Sequence, residues 1–163
     1  MSMKMRKLLS LAFLFAAFFM IKPANATHMM GSDITWQCIG QDSFMIRLVI
    51  YRDCNGVILG NASIPIKCKS TGQSITNVNI SKPAPVDITP TCGSSCTRCQ
   101  TSSCSFPYGI EQYVYQKLVV LNNTSCCDLT MSYSMCCRNT TITTGAASKN
   151  FYIEAELNRC QTP

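Results

Sequence analysis

The chain has 163 residues, only 13% of them charged, with a formal net charge of +6 and twelve cysteines. Four basic residues, Lys4, Arg6, Lys7 and Lys22, fall in the first 26 positions, which leaves +2 for the remainder and no block of Lys or Arg. That distribution excludes an electrostatic case for nucleic acid or an anionic membrane, and the length fits one domain.

The first element is a leader. A basic start is followed by the apolar run Leu8 to Ile21 and then by Ala24-Asn25-Ala26. This is the layout of a secretory signal peptide over residues 1–26, with cleavage before Thr27. The run is shorter than the roughly 20 residues a membrane span needs, so no stable span is expected after cleavage. Thr27 in place of cysteine gives no indication of lipid anchoring.

All twelve cysteines lie beyond the leader: Cys38, Cys54, Cys68, Cys92, Cys96, Cys99, Cys104, Cys126, Cys127, Cys136, Cys137 and Cys160. An even number behind an export signal reads as a disulfide framework in an oxidising compartment, extracellular or at the cell surface. Twelve cysteines allow roughly ten thousand pairings, so connectivity is not deducible. Residues 27–163 are long enough to bury a real core, which the bridges would supplement.

Along that domain Ile34, Trp36 and Cys38 share one face of a short strand. A second strand runs from Ser43 to Arg52, with Phe44, Ile46, Leu48 and Ile50 on one side and Met45, Val49 and Tyr51 on the other. Apolar residues on both faces predict a central strand. Asn55-Gly56 is a hairpin signal. The return strand becomes regular at Ala62, Ile64, Ile66 and Cys68, where Pro65 predicts an edge or an unpaired side. Ser74 to Ile80 is a weaker strand. Residues 82–108 break the alternation with Pro83, Pro85 and Pro90 followed by four cysteines, and read as one long, disulfide-pinned loop. A strong strand follows at Ile110 to Leu121, and a last one carries Phe151, Ile153, Ala155 and Leu157.

Between these two lies Cys126 to Cys137, where Cys127, Leu129, Met131, Tyr133, Met135 and Cys137 alternate with Cys126, Asp128, Thr130, Ser132, Ser134 and Cys136. The period of two predicts a strand with one buried face. Fully extended, its terminal doublets stand roughly 33 Å apart and cannot bridge each other. By parity Cys127 and Cys137 point to the core with Cys38 and Cys68, while Cys126 and Cys136 point outward, toward the Cys92–Cys104 loop. No helical periodicity appears after the leader. The expected fold is all-β: an antiparallel, Ig-like, disulfide-stabilised β-sandwich with one long Cys-rich loop.

Candidates for chemistry are few. Cys96-Thr97-Arg98-Cys99 is a C-x-x-C in which Arg98 could lower a thiolate pKa, so a thiol-disulfide oxidoreductase is the alternative reading. No helix or βαβ unit accompanies it, and structural bridges are the stronger expectation. Cys92, Cys96, Cys99 and Cys104 could also hold a tetrahedral zinc, but the spacing is tighter than two separated knuckles and an exported setting favours oxidation. His28 is the single histidine, beside the new N-terminus, and offers no triad. Asp33, Asp53, Asp87, Glu111, Asp128, Glu154 and Glu156 have neither paired-carboxylate nor calcium-loop spacing. Tyr108, Tyr113 and Tyr115 suit the core better than a glycan- or protein-binding surface. Asn61, Asn79, Asn122, Asn123 and Asn139 begin N-x-Ser/Thr sequons. No enzyme, cofactor or metal is expected from these residues.

Thr27-His28-Met29-Met30-Gly31-Ser32-Asp33-Ile34-Thr35-Trp36-Gln37-Cys38, Val49-Ile50-Tyr51-Arg52-Asp53-Cys54-Asn55-Gly56 and Cys136-Cys137-Arg138-Asn139-Thr140-Thr141-Ile142 together carry a resemblance, with Phe106-Pro107-Tyr108-Gly109-Ile110-Glu111 between them. They resemble the amino-terminal region of large secreted, surface-associated proteins of Bacteroidetes. In those proteins PKD or other Ig-like repeats typically follow, and a sorting domain of the gliding-motility and type IX secretion kind often ends the chain. The resemblance implies export and a structural or adhesive role at the surface, toward an extracellular protein or glycan, and supplies no catalytic residues. The sequence ends at Pro163 before any such repeat or sorting domain.

Overall fold

The computed structural model describes residues 29–90, 95–104, 108–136, 138 and 149–161. The leader, His28, Cys92 and Cys137 lie outside the described residues. Eight strands follow in order: β1 (Met29–Gly40), β2 (Ser43–Asp53), β3 (Ala62–Cys68), β4 (Ser74–Ile80), β5 (Val86–Asp87), β6 (Ile110–Val120), β7 (Asp128–Met135) and β8 (Phe151–Asn158). They form two four-stranded sheets, ordered β1-β2-β6-β5 and β4-β3-β7-β8. Every strand pairing within the sheets is antiparallel. The described residues contain no helix. The chain is an all-β sandwich.

Alternation explains the layers. Phe44, Ile46, Leu48 and Ile50 of β2 are fully buried, and β6 sets Tyr113 and Tyr115 beside them. From the facing sheet come Ile64, Ile66, Leu129, Met131 and Leu157. Each such side chain contributes about 1.5–3 kcal/mol when removed from water, so this shared core dominates stability. As expected, β2 is an interior strand and Tyr113 and Tyr115 belong to the core; Tyr108, expected there with them, lies before β6 begins and is exposed instead.

Two turns take left-handed backbone among the described residues, at Asp42 (φ 55°) and Gly72 (φ 71°). Asn55-Gly56 does not close a hairpin. It makes a local turn, Gly56 N–H to Asp53 C=O at 2.9 Å, after which the chain crosses to the other sheet, where β3 pairs with β4 and β7. The reason is local: Arg52 ties down the carbonyls of Cys54 and Val57, so no ladder forms beside β2. Pro65 follows the unpaired-side expectation. Its strand is interior, but the ladder to β7 covers only Ile66 to Cys68 and stops short of the proline. The long loop contains β5, whose Val86 and Asp87 pair with Gln112 and Glu111.

The cysteine-flanked strand is shorter than its alternation suggested. Because β7 begins at Asp128, Cys126 and Cys127 lie in the preceding turn, where strand parity no longer applies. Cys126, expected to face outward to the long loop, instead packs against the core and bonds to Cys68 at the end of β3. Cys127, expected to face the core, bonds to Cys160 just beyond β8. The long loop is tied to β2 through Cys54–Cys99 and to itself through Cys96–Cys104. Cys136 is also disulfide-bonded. The Cys38 sulfur lies 3.5 Å from the carbonyl oxygen of Gly40.

Candidate functional site: a buried arginine at one pole

A polar cluster forms where β2 ends, β6 begins and the long loop folds over both. Arg52 is in the phase of β2 that points inward, and it is only 2% exposed. Burying a guanidinium is tolerable only if its charge and its donors are met. Glu111, directly opposite on β6, supplies the charge, with Nη2 3.1 Å from Oε2. Nη1 donates to Val57 C=O at 2.8 Å and Nη2 to Cys54 C=O at 2.9 Å. The planar fork thus holds a strand end, a turn and a neighbouring strand in one geometry, which a lysine could not do.

Aromatic packing closes the cluster from β6. The Tyr113 hydroxyl donates to Glu111 Oε2 at 3.1 Å, and Arg52 Cζ stands 5.9 Å from the ring centroid. Lys82 Nζ lies at the same distance from that ring. Burial pushes the Tyr113 hydroxyl above its usual pKa, so it is a donor throughout the neutral range. Asp53, 3% exposed, accepts the Asn55 backbone N–H at 3.0 Å.

The loop is anchored beside this cluster. The Cys54 N–H donates to Gly109 C=O at 3.1 Å, and the Cys54–Cys99 disulfide lies against Gly109. A Cβ at position 109 would meet Cys99 Sγ and come within 2.6 Å of Cys54 Sγ, so the site requires glycine. Asp87 organises the other side. Its carboxylate accepts the Thr89 hydroxyl at 2.6 Å, the Thr89 N–H at 3.0 Å and the Thr97 hydroxyl at 3.4 Å. Donation from the Thr89 hydroxyl is the main cause holding the Asp87 carboxyl below its ordinary pKa. Thr89 in turn accepts the Ile110 N–H at 2.7 Å, which links the loop to the start of β6.

The pole therefore unites the Tyr-Arg-Asp-Cys motif, the C-x-x-C and the Tyr-Gly-Ile-Glu stretch. Sequence spacing did not disclose the Arg52–Glu111 pair or the role of Gly109; register across β2 and β6 creates both. The C-x-x-C does not close on itself, because Cys96 bonds Cys104 and Cys99 bonds Cys54. A dithiol exchanging with its own disulfide is thus not the arrangement present. Asp87 and Glu111 stand opposite each other, whereas Asp33, Asp128, Glu154 and Glu156 lie elsewhere in the sheets. No group of three His, Cys, Asp or Glu among the described residues could hold a metal ion. No helix among them is long and apolar enough to cross a membrane.

The opposite pole is stapled as well. Arg159 pairs with Asp42 at 2.5 Å and donates to Thr124 C=O at 2.6 Å, next to Cys68–Cys126 and Cys127–Cys160. No protein-family model, curated protein or solved structure matches the chain.

Proposed function

We propose that this chain is an exported, Ig-like structural module of a bacterial extracellular or surface protein, serving adhesion or spacing rather than catalysis. The observation that carries it is the stapling of both poles. Cys68–Cys126 and Cys127–Cys160 join the ends of β3, β7 and β8, while Cys54–Cys99 fastens the long loop to β2. Closed loops of this size stabilise by about 4 kcal/mol each in the chain-entropy view, and such bonds persist only in an oxidising compartment. The signal-like leader and the resemblance to Bacteroidetes surface proteins support the same setting.

Strand order supports the Ig-like part of the reading. Taking β1, β2, β6 and β5 as A, B, E and D, and β3, β7 and β8 as C, F and G, gives the two sheets of the constant-type arrangement with β4 added beside C. The large polar cluster is spent inward: Arg52 pairs with Glu111 and donates through both Nη atoms to the carbonyls of Val57 and Cys54. Partners of such a module are extracellular proteins or glycans.

The test is expression of the full chain in an exporting Gram-negative host, followed by N-terminal sequencing and non-reducing peptide mapping. A mature start at Thr27 with the Cys54–Cys99, Cys68–Cys126 and Cys127–Cys160 peptides is the expected result. Retention in the cytoplasm with reduced cysteines and an unchanged fold would overturn the proposal.

A further inference from the structure

The two lateral seams of the sandwich differ. Along one, β1 and β8 are joined by the Trp36 indole N–H, which donates to the Glu156 carbonyl at 2.8 Å. Along the other, β6 is an edge for much of its length. Among the described residues only Gln112 and Glu111 pair with β5, whereas the far side of β6 is laddered to β2 through Val120.

The direction of the unpaired groups follows from flanking bonds. Leu121 N–H donates to Asp42 C=O on the β2 side, while Ile110 C=O accepts Ile88 N–H on the β5 side. Odd-numbered residues of β6 therefore address β2, and Gln116, Leu118 and Val120 aim their N–H and C=O groups at the open edge. These three residues are also exposed outward, Leu118 by 49% and Val120 by 56%. Leu118 stands opposite Met45 in the sheet, so an apolar row runs out to the edge and ends there. An open edge with apolar side chains is a template for another strand.

We propose that the chain forms a two-fold dimer by antiparallel pairing of β6 with β6 of a second copy, Leu118 opposite Leu118. Backbone edges are self-complementary, and an isologous contact closes at two copies. The register follows by elimination. Centring on Gln116 would put Val120 opposite Gln112, which already pairs with Val86. Centring on Lys117 would oppose two ammonium groups and set Val120 against Val114, close to where residues 81–85 cross from β4 to β5. Centring on Leu118 matches Gln116 with Val120 at both ends, leaves β5 undisturbed and joins the two Met45–Leu118 rows across the axis. Lys117 then keeps its bond to the Asn79 carbonyl. The seam is short beside those of permanent dimers, so the pairing is concentration-dependent.

The experiment is size-exclusion chromatography with light scattering of the disulfide-intact full chain over a dilution series, with hydrogen exchange followed by NMR. The expected result is a dimer in the wild type and a dissociation constant raised about 100-fold by Leu118→Lys, which removes two apolar contacts and opposes two charges. Tyr152→Lys, on exposed β8, leaves it unchanged. Amides of Gln116, Leu118 and Val120 gain protection with concentration, while those of Lys117 and Val119 do not. Should Leu118→Lys fail to fold, that alternation in the wild type decides the matter. A monomer at the highest soluble concentration, a dimer indifferent to Leu118→Lys, or protection without alternation overturns the proposal.

Discussion

The Trp36 indole N–H donates to the main-chain carbonyl of Glu156 across the seam between the two sheets, at 2.8 Å. The ring also meets Phe44 edge-on, with centroids 5.9 Å apart, so one side chain closes an open edge of β8 and packs on the core. Trp36→Phe keeps most of the packing and loses the bond, which should cost about 1–2 kcal/mol. Trp36→Ala should cost about 3 kcal/mol or more, because it also leaves a cavity. Guanidinium denaturation of disulfide-intact protein measures both, and a Trp36→Phe variant as stable as the wild type would refute the seam bond.

A buried charge pair predicts strong asymmetry between single and double substitutions. Arg52→Ala leaves Glu111 facing an apolar core, and Glu111→Ala leaves the guanidinium uncompensated. Each should destabilise by about 3–5 kcal/mol. Arg52→Met combined with Glu111→Leu should cost much less than the sum, since no charge then remains buried. Arg52→Lys should not rescue, because an ammonium on a single stem cannot reach Glu111 and the carbonyls of Cys54 and Val57 in one plane. A double-mutant cycle by chemical denaturation checks the coupling.

What could be read in advance was what is local. Alternation alone marks β2, β6 and β7, because a side chain's polarity and its neighbour's report directly on a pleated, half-buried strand. The pairing of strands was less legible. Asn55-Gly56 has the composition of a hairpin turn, yet Arg52, two positions before the turn's Cys54 carbonyl, captures the backbone and sends β3 to the other sheet. Arg52 itself carried no sign of burial apart from its place in an apolar phase. The cysteine partners were hidden for a related reason. Cys126 sits two residues before β7 begins, so its direction is set by the turn rather than by strand alternation.

Gly109 predicts a coupling between backbone and disulfide. A methyl group there would collide with both sulfurs of Cys54–Cys99. Gly109→Ala should therefore prevent that bond or displace the loop, with a loss of about 2–4 kcal/mol. Peptide mapping with thiol alkylation should find Cys54 and Cys99 labelled in the variant but not in the wild type. Full retention of the bridge with unchanged stability would remove Gly109 from the anchor.

The two ends of the pH scale act on different parts of the fold. Asp87 has its folded pKa lowered from the ordinary 3.8, first by the Thr89 hydroxyl, so its contribution is present above 3.8 and is lost as pH falls through the depressed value. The carboxylate is exposed, and the consequence is local: protease cleavage in residues 88–104 should rise on acidification, and Asp87→Asn should show that rise already at neutral pH. At the alkaline end Tyr133 is buried, which pushes its hydroxyl from 10.0 up to about 12. A raised folded pKa means that the neutral phenol is favoured in the native core, so its contribution is complete below pH 10 and is lost as pH rises toward 12. Two pKa units correspond to roughly 3 kcal/mol. Tyr133→Phe, which cannot ionise, should flatten that part of the stability curve while changing stability at pH 7 by only about 1 kcal/mol, since among the described residues the Tyr133 hydroxyl bonds only the Met135 sulfur, at 3.8 Å. Thermal melts from pH 7 to 12 on both proteins measure the difference, and identical alkaline limbs would refute the role of Tyr133.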